Sequence, residues 1–138
     1  MNAATGITYG HVAEVALPFE EAIDAIRTAL ANEGFSIVAD IDMAASARDK
    51  LGASFRPYRI LGACNAQLAH LALSAEPQLG LIIPCNVVVQ VIEGRTVVSV
   101  IDAKSMVQAI GNRSLEHVAA DADARLLRAL SAVARLHA

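Results

Sequence analysis

The chain contains two cysteines, and each stands directly before an asparagine: Cys64-Asn65 in GACNAQ and Cys85-Asn86 in IPCNVV. A cysteine just outside a helix start feels the positive end of the helix dipole, which favours the thiolate and suits it to act as a nucleophile or soft ligand. An asparagine at that start accepts an otherwise unpaired backbone N–H. The plainer use of the same residues is structural, with Asn65 as a cap and Cys64 as a small space-filling hydrophobe. Just upstream, RPYR brings Tyr58 and Arg59 close in sequence. An arginine beside a helix N-terminus suits a small anion, although a solvated arginine and a half-buried tyrosine need no ligand. Tyr58, Arg59, Cys64, Asn65 and Asn86 form the candidate binding set, and Cys64 is the candidate nucleophile if the chain is an enzyme.

The two thiols are expected to differ. Cys85 opens a run in which Val87, Val89 and Val91 share its side of a strand. Burial on that apolar face disfavours a thiolate and raises the pKa, whereas the helix start lowers that of Cys64. Zinc sites announce themselves by paired ligands at short spacing, and these cysteines with His11, His70, His117 and His137 show none. No metal and no cofactor is therefore expected. His70 can lie on the same helix as Cys64's neighbour, but no third group orients the pair for catalysis. There is no phosphate loop, dinucleotide glycine pattern, GxSxG or HExxH.

The elements that must hold these residues are legible from periodicity. Residues 7–17 read as a strand, and Pro18 and the acidic Glu20 and Glu21 open a helix that Gly34 closes. Residues 35–41 read as a strand, 42–52 as a short helix ended by Gly52, and 55–63 as a strand that Pro57 assigns to a sheet edge or bulge. Residues 65–77 read as a helix stopped by Pro77. LIIPCNVVVQVIEGRTVVSVID reads as a hairpin with a Glu-Gly turn. A closing helix over 114–136, with Ser114 as N-cap, carries Leu115, Val118, Ala122, Leu126, Leu130 and Val133 on one stripe and leaves Arg125 on the outside. Together these predict a two-layer α+β domain, a mainly antiparallel sheet with helices on one face.

The chain has 138 residues, 55% hydrophobic and 18% charged, with net charge −3. One domain of this length holds a core without disulfides or metals. The apolar share exceeds the usual 45–50% or so, which implies either an unusually complete core or a partner subunit over part of the surface. The hairpin face with Asn86, Val88, Gln90, Ile92, Val97, Ser99 and Ile101 mixes apolar and polar groups and is the expected homodimer interface. The scattered basic residues argue against nucleic acid. No run is long enough to span a membrane, and the first 15 residues lack the pattern of an export signal, so a cytoplasmic protein with reduced thiols is expected.

The words YRILGACN, LAHLAL and GLIIPCNV, followed by the hairpin, resemble in order and spacing a bacterial and archaeal family, domain of unknown function 302. The resemblance spans about residues 7–134. It implies a TATA-binding-protein-like fold with a β-α-β-β-β-β-α core and implies no activity. Two departures stand out: Ala66 follows Cys64-Asn65 where the family has proline, and Ala103 follows Asp102 where proline is common. The reading that results is a small-ligand binding or sensing module with its pocket near Cys64 and Asn65. The alternatives are a thiol-dependent enzyme using Cys64 and a structural homo-oligomeric domain.

Overall fold

The computed structural model describes residues 7–137. Residues 1–6, part of the stretch read for an export signal, and residue 138 lie outside the described residues. The strands are β1 (Gly10–Val15), β2 (Ser36–Asp42), β3 (Tyr58–Cys64), β4 (Cys85–Ile92) and β5 (Arg95–Ile101). The helices are α1 (Phe19–Asn32), α2 (Met43–Leu51), α3 (Ala66–Ala75), α4 (Ala103–Ile110) and α5 (Glu116–Ala134). Short 3₁₀ turns cover Pro77–Leu81 and Arg113–Leu115. The strands form one sheet in the order β1-β5-β4-β3-β2, each neighbour antiparallel. Without the inserted α2, α3 and α4, the order is β-α-β-β-β-β-α, a two-layer α+β architecture.

The hairpin sets the register. Glu93 and Gly94 both take positive φ, 52° and 77°, the two-residue turn whose twist matches antiparallel strands. Val87 then faces Val100, and Val89 faces Val98. These four valines and Leu61 are buried against Ile23, Ile26 and Leu30 of α1 and Leu126, Leu130 and Val133 of α5. Each such side chain contributes roughly 1.5–3 kcal/mol by leaving water. A second, smaller cluster lies at one end of the sheet, where Ala72, Leu79 and Leu115 meet Ile83, Val107 and Val118.

Several expectations change. Pro57 does not mark an edge: β3 is interior, and Pro57 stands just before its first residue, with its carbonyl accepting from the Val91 N–H at 3.1 Å. The segment after β5, not expected as an element, forms a helix in which Ala103, Met106, Val107 and Ile110 recur at helical spacing. Asp102 caps α4 by accepting from the Ser105 N–H at 3.0 Å, and Gly111 ends it at φ 78°. Ser114 is not a cap; Asn112 is, accepting from the Ser114 N–H ahead of α5. Pro77 does not simply stop α3 but opens the 3₁₀ turn.

On the sheet face away from the core helices, Val97 is already fully buried and Gln90 is nearly so. The Arg56 Nε donates to Gln90 Oε1 at 2.9 Å, and its guanidinium lies over the rings of Phe55 and Tyr58. Val88, Ile92, Ser99 and Ile101 are half-buried, and Asn86 is exposed. At the far edge, the pairing of β2 shifts between Ile37 and Ala39, a bulge that leaves Val38 60% exposed. Among the described residues, no helix is long and apolar enough to cross a membrane.

Candidate functional site

Gly62 and Asn65 shape the end of β3. A Cβ on Gly62 would stand 2.9 Å from Pro84 Cγ, so the close approach of β3 to the segment entering β4 requires glycine. Three residues on, Asn65 accepts from the Leu68 N–H at 3.1 Å and caps α3, as its position predicted. Ala66, the first residue of α3, leaves that cap intact. The strand end and the capped helix start carry Cys64 and Asn65 to the wall of a cavity.

That cavity is the second core cluster seen from inside. It is enclosed by α3, the following 3₁₀ turn, α4, α5 and the ends of β3 and β4, with Phe35, Leu68, Ala72, Ile83, Val107 and Leu115 among its lining. Both cysteines and Asn65 also line it, and among the described residues no histidine or carboxylate does. It offers about 80 Å³ to the centres of water-sized molecules and is partly open to solvent.

The two thiols therefore share one cavity, although their surroundings differ. Burial pushes the Cys85 thiol up to about 11, and the neighbouring Cys64 and Asp123 act in the same direction. At neutral pH Cys85 is a protonated, weakly polar wall. Both thiols are free.

The other candidates lie elsewhere. Asn86 points away from the helices and does not line the cavity. Tyr58 packs with Phe55 on the open face, ring centroids 5.9 Å apart. Arg59 stands at the start of β3, with Cys64 at its end, and donates to Asp40 at 2.7 and 2.6 Å. Its hydrogen bonds, with those of Arg27, hold the Asp40 carboxyl below its ordinary pKa. Arg59 is thus committed to an ion-pair network and leaves the α3 start without an arginine. His70 is exposed on α3 and does not line the cavity.

Next to the cavity the fold assembles a group that sequence spacing did not suggest. His11 of β1, Asp102 at the start of α4 and Asp123 of α5 bring their ligand atoms within 4.8 Å of one another. His11 Nε2 lies 3.1 Å from Asp123 Oδ1 and 3.7 Å from Asp102 Oδ2. Asp123 is only 3% exposed, and its Oδ1 also accepts from the Ala103 N–H at 3.1 Å. Partial burial works against a charged Asp102, but the Ser105 N–H and hydroxyl and the nearby His11 outweigh it and lower its pKa. The one sequence signal was Asp123, a carboxylate within the buried stripe of α5.

No curated protein matches the chain. The crystal structure of an uncharacterized conserved protein DUF302 from Bacillus stearothermophilus matches it with a TM-score of 0.86 at 26% identity, over 92% of this chain and 99% of that one. The family model for Domain of unknown function DUF302 matches residues 11–133, nearly the whole span from β1 to the end of α5, and the chain belongs to that family.

Proposed function

We propose that this domain binds or senses a small, uncharged, largely apolar ligand in the cavity lined by Cys64 and Cys85. The observation that carries this reading is the cavity itself: apolar walls from three helices converge on two thiols and one amide. Binding sites of this kind are concave, mostly apolar and provided with a few polar groups that fix orientation. A space of about 80 Å³ is smaller than the roughly 150 Å³ apolar void that accepts benzene. It suits a short alkyl group, and a larger ligand would enter by displacing α3 or α4. Thiol-dependent catalysis by Cys64 is the weaker reading, because among the described residues no base faces the cavity to activate a thiol.

Titration with 1-butanol, followed by amide NMR shifts, tests the proposal. Shifts should centre on Cys64, Ala72, Val107 and Leu115, and Ala72→Phe, which fills the space, should abolish them while the rest of the spectrum keeps its dispersion. Shifts confined to the open sheet face, or none at saturating alcohol, would overturn it.

The open face supports a second element, a homodimer through Val88, Ile92, Ser99 and Ile101. These side chains are half-buried in the single chain and mix apolar with polar groups, as an interface does. The strand and helix order also supports the TATA-binding-protein-like assignment, and free thiols suit a cytoplasmic setting.

A further inference from the structure

We infer that His11, Asp102 and Asp123 form a binding site for one divalent metal ion of the zinc class, set against the wall of the apolar cavity. The geometry comes first. Ligand atoms held about 2.0–2.2 Å from a tetrahedral ion stand roughly 3.3–3.6 Å apart. His11 Nε2 lies 3.1 Å from Asp123 Oδ1 and 3.7 Å from Asp102 Oδ2, on either side of that spacing, and all three ligand atoms lie within 4.8 Å of one another, so small side-chain adjustments complete the site. One imidazole with two carboxylates is a donor set for zinc and neighbouring first-row ions, not for copper(I) or an iron–sulfur cluster.

Charge is the second argument. Asp123 is almost wholly buried, and Asp102 is half-buried, with 17% of its side chain exposed. Among the described residues neither carboxylate is ion-paired to a lysine or arginine; His11 is the one partner of both. Two carboxylates about one imidazole leave negative charge in a poorly solvated place, and such charge is costly unless matched. A divalent cation matches it and leaves the imidazole neutral.

The support around the cluster also fits. Asp102 uses Oδ1 to cap α4 and presents Oδ2 to His11. Asp123 is held by the Ala103 N–H. Metal ligands are oriented in this way by groups behind them. His11, Asp102 and Asp123 come from β1, the β5–α4 junction and α5, so the site forms only in the folded chain. Ala103, which holds Asp123, also lines the cavity. Three protein ligands leave a position open, and the metal and the apolar cavity would be next to each other. The inference stands apart from the ligand-binding proposal, since the site needs no occupant in the cavity.

The test uses the untagged full chain and zinc ions alone. Zinc titration by calorimetry should give one site per chain. His11→Gln and Asp102→Asn should each weaken it at least tenfold, with circular dichroism showing that both variants fold. A Cys64→Ser/Cys85→Ser variant should bind as the parent does, which separates this site from the two thiols. X-ray absorption of the zinc-loaded parent should show nitrogen and oxygen neighbours without sulfur. That spectrum decides alone if a variant fails to fold. Absence of binding at millimolar zinc, unchanged affinity in His11→Gln, loss in the double serine variant or sulfur in the first shell would each overturn the inference.

Discussion

The Arg125 guanidinium of α5 donates to the backbone carbonyl of Glu33 at 2.9 Å, where α1 ends. The last turn of α1 contains no basic residue, so the cation that complements its C-terminus comes from another helix. Arg125 also donates to Asp121 at 2.8 Å. It therefore joins two helices where the periodicity had left it as a bystander on the outer face. Arg125→Ala should cost about 1.5–3 kcal/mol, the range for hydrogen bonds to charged groups. Arg113→Ala, at a fully solvated side chain, should cost under about 0.5 kcal/mol. Equal urea midpoints for the two variants would show that the Arg125 contact is dispensable.

Leu126 and Leu130 lie one helical turn apart on the face of α5 that covers the sheet, fully buried and 5% exposed respectively. Truncation of either to alanine should cost about 2–5 kcal/mol. The check is denaturant unfolding of both variants beside Arg113→Ala. A loss no larger than that of the surface control at either leucine would place the helix in the wrong phase.

The Cys85 thiol, held near a pKa of about 11 by burial, should resist alkylation. At pH 8 the thiolate fraction would be about one in a thousand, because the pH lies roughly three units below the pKa. Iodoacetamide labelling of the Cys85 peptide, followed by mass spectrometry from pH 7 upward, should keep rising beyond pH 10. A plateau by pH 9 would mean that the thiol sees water or a cation.

Asp40 supports an acid-sensitive part of the stability. Its folded pKa lies below the unfolded value of about 3.9, chiefly through hydrogen bonds from Arg59. The stabilisation is therefore fully present above that unfolded value and is lost as pH falls through the folded one. The Asp40→Asn variant should unfold at lower urea than the parent at pH 7, by about 1 kcal/mol for this partly exposed network. The gap should narrow as the pH is taken below the ordinary aspartate range. A gap that stays constant as the pH is lowered until the parent itself acid-unfolds would remove the ion pair from the account.

The proposed dimer predicts a doubled mass by light scattering at tens of micromolar, and Val88→Arg should return the chain to a monomer without unfolding it. A monomeric parent would leave the half-buried valine and isoleucines of the open face as ordinary surface.

The sheet was legible because alternation along the hairpin gathers Val87, Val89, Val98 and Val100 on one buried face. The Asn65 cap was legible because its chemistry is local. The α4 helix was legible too, since Ala103, Met106, Val107 and Ile110 recur at helical spacing between Asp102 and Gly111, and Ala103 and Val107 face the cavity. The candidate site was half legible. Cys64 and Asn65 stay together because they are neighbours in sequence, whereas strand alternation separates Asn86 from Cys85, and Arg59 is drawn away by Asp40. The cluster of His11, Asp102 and Asp123 depends on three distant elements, which no spacing rule could join.

The bulge at Val38 bears on how the protein behaves when concentrated. The outer edge of β2 presents unpaired backbone groups, the feature that lets strands of separate molecules add to one another and grow into fibrils. A bulge kinks that edge out of a flat ladder, and Asp40 and Asp42 follow directly after it. A second strand docking there would have to match an irregular rung and then settle beside two carboxylates. The edge that could nucleate aggregation is thus interrupted in its own backbone, and the sheet can end in solvent without a strand or helix to cover it.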